Sequence, residues 1–137
     1  MKKFISFELA ANASFVLYGI FFIFHLFVLA GVIPQDIVWG GRIESRDDLI
    51  MFEIVSLAFL LICVLLTLLR TKYVTYLKFK RITQIGMWSV FVLFLLNTVG
   101  NLFAITLIEK LAFTPITALL SFFALRLALG KDEKIER

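Results

Sequence analysis

Four long apolar runs decide what this chain can fold into. They extend from about Leu9 to Ile33, Leu49 to Leu69, Thr83 to Ile108 and Ala112 to Leu129. At a rise of 1.5 Å per residue, each crosses or nearly crosses a hydrocarbon core of roughly 30 Å. Lipid satisfies no backbone polar group, so such runs become helices. The expected fold is an all-α integral membrane protein, a four-transmembrane-helix antiparallel bundle forming one domain over residues 1–137. What remains is an outer loop at 34–48, a basic inner loop at 70–82 and a charged tail at 130–137. Composition agrees: 61% of residues are apolar and the mean hydropathy is +0.99, where soluble domains lie near half apolar. The alternative for the first run is a secretory signal with Val28-Leu29-Ala30 as its cleavage site. The run exceeds the roughly 7–15 residues of such apolar regions, which favours an uncleaved span.

Punctuation sets the expected boundaries. Pro34 is expected to end the first helix, because it lacks an amide donor and restricts the residue before it. Asp47 and Asp48 suit the start of the second helix, as cap and first-turn anion. Trp88 is a candidate interfacial anchor. Glu109 and Lys110 read as a very short outer turn, Pro115 suits a first turn, and Gly130 suits a C-terminal cap.

The net charge of +4 is not a nucleic-acid signature, because the cations cluster at span ends. With the N-terminus inside, eleven of the fourteen Lys and Arg residues fall on the inner side; Arg42, Arg46 and Lys110 fall outside. That bias predicts both termini in the cytoplasm, and the single-membrane pattern suits a bacterial inner (plasma) membrane.

Residues three, four, seven or eleven apart share a helix face. Ser14, Tyr18 and His25 do so in the first span, and Glu53, Ser56, Cys63 and Thr67 in the second. Asn97, Gly100, Asn101 and Ala104 do so in the third, and Thr114, Thr117, Ser121, Ala124 and Ala128 in the fourth. These small and polar stripes should face one another, leaving phenylalanine-rich surfaces to lipid.

The strongest polar groups then meet at one level. His25 lies roughly 12 Å below the outer end of its span, Glu53 about one turn down, and Asn101 and Asn97 roughly 10–16 Å down. Arg42 and Trp39 sit above them in the loop. Ionisable groups inside a membrane pair or line a wet cavity. An arginine presented by Gly40-Gly41 suits a carboxylate or phosphate. His25, Trp39, Arg42, Glu53, Asn97 and Asn101 are therefore the candidate ligand-binding residues. Each has a plainer reading: a structural histidine bonded to the third span, a first-turn anion reaching water or Arg42, interhelical amide contacts, an interfacial tryptophan. In the inner loop, Lys72, Lys78, Lys80 and Arg81, interleaved with aromatic residues, could contact anionic lipid headgroups, worth about 1 kcal/mol per cation, or could simply set topology.

Other chemistry is poorly supported. One cysteine, Cys63, excludes an internal disulfide and dithiol redox chemistry. One histidine with carboxylates and amides underligands zinc. HExxH, GxSxG and P-loop motifs are absent, and no cofactor is expected. Three functions remain. The first is binding of a small polar or amphipathic ligand, such as a lipid headgroup, in an outer-half cavity. Transport by such a site would call for a homodimer or a larger membrane partner. The second is an accessory subunit without a ligand site. The third is an intramembrane enzyme with His25 as acid/base and Glu53 orienting it.

Overall fold

A computed structural model describes residues 5–71 and 80–130; side-chain detail begins again at Arg81. All regular structure among the described residues is helical: α1 (Phe7–Leu29), α2 (Arg46–Arg70), α3 (Lys80–Leu102) and α4 (Thr114–Ala128). A π turn, Glu109–Phe113, leads into α4, and two 3-10 turns, Gln35–Ile37 and Trp39–Gly41, occupy the α1–α2 loop. Four segments, Phe7–Leu29, Arg46–Arg70, Arg81–Leu102 and Glu109–Ala128, are long and apolar enough to cross a membrane. This is the character of a multi-pass membrane protein.

The boundaries follow local chemistry that the apolar runs hide. The Ser6 hydroxyl accepts the Leu9 N–H at 3.0 Å and caps α1. Gly31, not Pro34, ends that helix. At φ +77° it lets the Val32 and Gly31 amides fold back to the carbonyls of Phe27 and Val28, at 2.9 and 3.0 Å. Arg46 adds a 2.6 Å hydrogen bond to the Leu29 carbonyl. Ser45, not Asp47, caps α2 by accepting the Asp48 N–H at 3.1 Å; Asp47 and Asp48 are both first-turn anions. The third run is not one helix to Ile108. It breaks over 103–106 and restarts at Leu107. The π turn precedes Pro115, whose ring and missing N–H disfavour a regular α turn back to Leu111. Gly130, at φ +77°, ends α4 as expected.

Neighbouring helices pack as α1 on α2, α2 on α3, α3 on α4 and α4 on α1; α3–α4 is the largest of these interfaces and α2–α3 the smallest. The core between them is built from Ala10, Tyr18, Leu60, Met87, Phe94, Leu120, Ala124 and Leu127, among others. Ser14, Thr67, Thr117, Ser121 and Ala128 are buried with them, as the stripes require. The expected phenylalanine-rich outer surface is not observed. Among the described phenylalanines only Phe27, Phe52 and Phe103 are exposed, and the outward faces are dominated by Leu, Ile and Val. Phenylalanines such as Phe21, Phe24, Phe59 and Phe94 turn inward instead, where their broad rings line a cavity between the helices.

Two ends of the molecule differ. At the end where α1 begins and α4 finishes, Arg126 is only 2% exposed. Its guanidinium donates to the Ile5 carbonyl at 2.8 Å and the Gly130 carbonyl at 2.7 Å and lies over the Phe7 ring. Arg70 donates to the carbonyls of Leu127 and Ala128 at 3.1 and 3.3 Å. Two cations thus satisfy carbonyls that the end of α4 leaves open. At the other end, Val28, Val38 and Leu49 form a second small core, with Phe24, Ile33, Ile37 and Ile43 packed on it. Apolar residues inside the loop pin it down onto the helices.

Candidate functional site

The site sits beneath that loop. Glu53, about two turns into α2, has no exposed surface. Its Oε2 lies 2.6 Å from Nδ1 of His25 on α1, and its Oε1 accepts the indole N–H of Trp39 at 2.9 Å. An indole only donates, so Glu53 acts as an acceptor there. With His25 Nδ1–H donating to the other oxygen, Nε2 is left with no partner among the described residues. The histidine therefore pairs with α2, not with α3, and Glu53 reaches neither water nor Arg42.

Trp39 pays for its position in backbone geometry. It holds φ +57°, a left-handed conformation rare outside glycine, and Gly40 and Gly41 continue it at +72° and +68°. Such a residue costs about 1–3 kcal/mol and persists only where its surroundings fix it. Here the fixings are the Glu53 hydrogen bond and a ring contact with Phe52, centroids 4.9 Å apart.

The run of positive φ turns the Gly40 N–H toward α4. It is shared by both oxygens of Glu109, at 2.8 and 3.1 Å, and the Thr106 hydroxyl donates to Glu109 Oε2 at 2.5 Å. Glu109 is 4% exposed. Sequence reasoning placed it in an outer turn and missed it. The signal that could have found it is Thr106-Leu107-Ile108-Glu109, a capping-box spacing just before an apolar run. In the structure the two side chains of that spacing meet each other, hydroxyl on carboxylate, where the helix restarts. The loop is thus held by two carboxylates, one from each side.

Below the loop lies a cavity of about 370 Å³. Polar groups of His25, Trp39, Arg42, Asn97, Asn101 and Glu109 line it together with aromatic side chains, Phe21, Phe24, Phe59, Phe94 and Phe113 among them. The six candidate residues divide as follows. His25, Trp39, Arg42, Asn97 and Asn101 line the cavity, while Glu53 stands behind His25 and Trp39 and orients both. Asn101 is buried and its amide donates to the Thr117 hydroxyl at 3.3 Å. Thr98 joins the same contact at 3.0 Å from Thr117, a residue the face analysis left out. Asn97 is exposed and reaches the cavity from the open side of α3. Arg42 is exposed and forms no ion pair or hydrogen bond among the described residues. Its side chain folds back beside Gly40, where an added Cβ would lie 3.6 Å from Nε.

Deeper in, the hydroxyls of Ser14, Tyr18 and Thr67 are buried near one another, with no hydrogen bond of ordinary geometry among the described residues, and Tyr18 stacks on Phe94. Of the inner-loop candidates, Lys72 and Lys78 lie outside the described residues, as does the side chain of Lys80; Arg81 is exposed at the start of α3. No group of three or more His, Cys, Asp or Glu side chains able to hold a metal occurs among the described residues. Compared with protein-family models, curated proteins and solved structures, the chain matches none, so its function is argued from this geometry.

Proposed function

We propose that this chain is a small multi-pass membrane protein that binds a small polar or amphipathic ligand in the cavity beneath the α1–α2 loop. In this reading the helices form an antiparallel bundle in a bacterial inner (plasma) membrane, with both termini cytoplasmic and the loop outside. The eleven-to-three distribution of cations supports that orientation. The observation that carries the binding reading is the mixed lining of the cavity: aromatic walls beside polar groups, of which Arg42 and His25 Nε2 are unpaired among the described residues. Mostly apolar walls with a few convergent polar groups are the usual make-up of a ligand pocket. Transport would be an extension of binding and would call for a second copy or a larger partner. Arg81 and its basic neighbours in the inner loop would contact lipid headgroups.

Native mass spectrometry of the protein released from nanodiscs tests the reading. Wild type should carry one discrete adduct, and His25→Ala should lose it at unchanged oligomeric state. Bare protein in both cases would favour the second reading, an accessory subunit. That reading has its own support, since Glu53 and Glu109 both hold the loop in place.

A further inference from the structure

The rim of the cavity is unbalanced in what it leaves free. Glu109 accepts from Gly40 and Thr106, and Glu53 is engaged by Trp39 and His25. Neither carboxylate pairs with Arg42. A guanidinium fork thus sits at the cavity mouth with all its donors unclaimed among the described residues, and its planar array matches carboxylate and phosphate oxygens. His25 Nε2 is the second unclaimed group on the same lining. Nε2 donates when the ring carries two protons and accepts when it carries one. A monoprotonated phosphate or a neighbouring glycerol hydroxyl answers either state.

The cavity also has a direction. Phe103, Gly100 and Asn97 line it and are exposed, so it opens along α3 for six residues, about 9 Å of helix. Leu96 and Val99, exposed on the same stretch, give the flanks of this slit the apolar character of a lipid-facing surface. A Cβ added at Gly100 meets nothing within 4 Å, so the slit at that level is open space. A soluble anion needs no such slit; a chain entering sideways from the bilayer does.

We propose that the cavity takes an anionic membrane amphiphile, its phosphate or carboxylate held by Arg42 and His25 Nε2 and its acyl chain lying in the slit from Phe103 to Asn97. The proposal rests on the binding reading above and names its ligand class. Arg42 supplies charge and selectivity, Gly100 supplies room for the chain, and Glu53 fixes the ring that presents Nε2.

The test uses the full chain in phosphatidylcholine nanodiscs doped with equal minor amounts of phosphatidylglycerol and diacylglycerol, read by native mass spectrometry. Wild type should retain phosphatidylglycerol enriched about tenfold over both other lipids, the scale of one charge-assisted contact. Arg42→Ala should abolish the enrichment and Arg42→Lys should keep part of it. Gly100→Leu should lose the lipid adduct while its Tm in detergent is no lower than that of wild type. Adducts that ignore headgroup, or that Arg42→Ala leaves unchanged, would overturn the anionic assignment and leave the cavity as a neutral lipid site. A rise in Tm with soluble sn-glycerol 3-phosphate, equal to that with phosphatidylglycerol, would overturn the role given to the chain. No adduct on wild type from any disc would remove the binding reading itself.

Discussion

Gly86 and Gly100 are the same residue on the same helix, fourteen positions apart and within about 40° of the same face. Their surroundings are opposite. A Cβ at Gly86 would come within 2.7 Å of Leu66 Cδ2, whereas one at Gly100 would touch nothing. Between them, over about 21 Å, the surroundings of α3 pass from a place filled by the Leu66 side chain of α2 to open space beside the cavity. At one end the missing side chain makes room for a neighbour's; at the other it leaves space unfilled. A glycine in a transmembrane helix is therefore not by itself a packing signal. What it faces decides whether it serves association or access.

The largest effect should come from forcing the closed end apart. Gly86→Leu should lower stability by about 3 kcal/mol, the upper range for overpacking, seen as a clear fall in Tm in detergent. Combining it with Leu66→Ala should recover about 1 kcal/mol of that loss, because the two positions share one contact. A double variant no better than the sum of its parts would show that the close approach is relieved elsewhere. Next comes the loop end. Glu109→Gln keeps the shape but loses the charge that the Gly40 N–H and the Thr106 hydroxyl address. It should cost about 1–2 kcal/mol and speed hydrogen exchange at Gly40 and Gly41, while exchange around Gly86 is unchanged. The smallest effect sharpens the contrast most. Gly100→Ala should raise stability by about 0.5–1 kcal/mol, the ordinary helix-propensity gain, since nothing there needs to move.

Some of this was legible in the chain and some was not. Four spans follow from the apolar runs alone, because in lipid the backbone has few alternatives. Their ends do not, because Ser6, Gly31 and Ser45 act through single hydrogen bonds and one dihedral angle. The break at 103–106 hides inside an unbroken apolar run. His25 and Glu53 stood out as ionisable groups in apolar surroundings, and their 2.6 Å contact is the kind of pairing such groups require. Glu109 did not stand out, because beside Lys110 it looked like the tip of a turn. Asn97, Gly100 and Asn101 share one face and all line the cavity, but Asn101 is buried against Thr117 while Asn97 and Gly100 are exposed, a difference that face periodicity does not carry.

The two carboxylates that hold the loop are also separated in time. Trp39 finds its partner, Glu53, only 14 residues later in the chain, whereas Gly40 waits 69 residues for Glu109. At ribosomal rates of about 5–20 residues per second, that wait lasts roughly 3–14 seconds. During it, α1, α2 and α3 can already stand in the bilayer with the pocket uncovered. The second tie is made only once Glu109, at the head of the last span, has been synthesised, so the nascent chain passes through a stage in which the loop is held from one side alone.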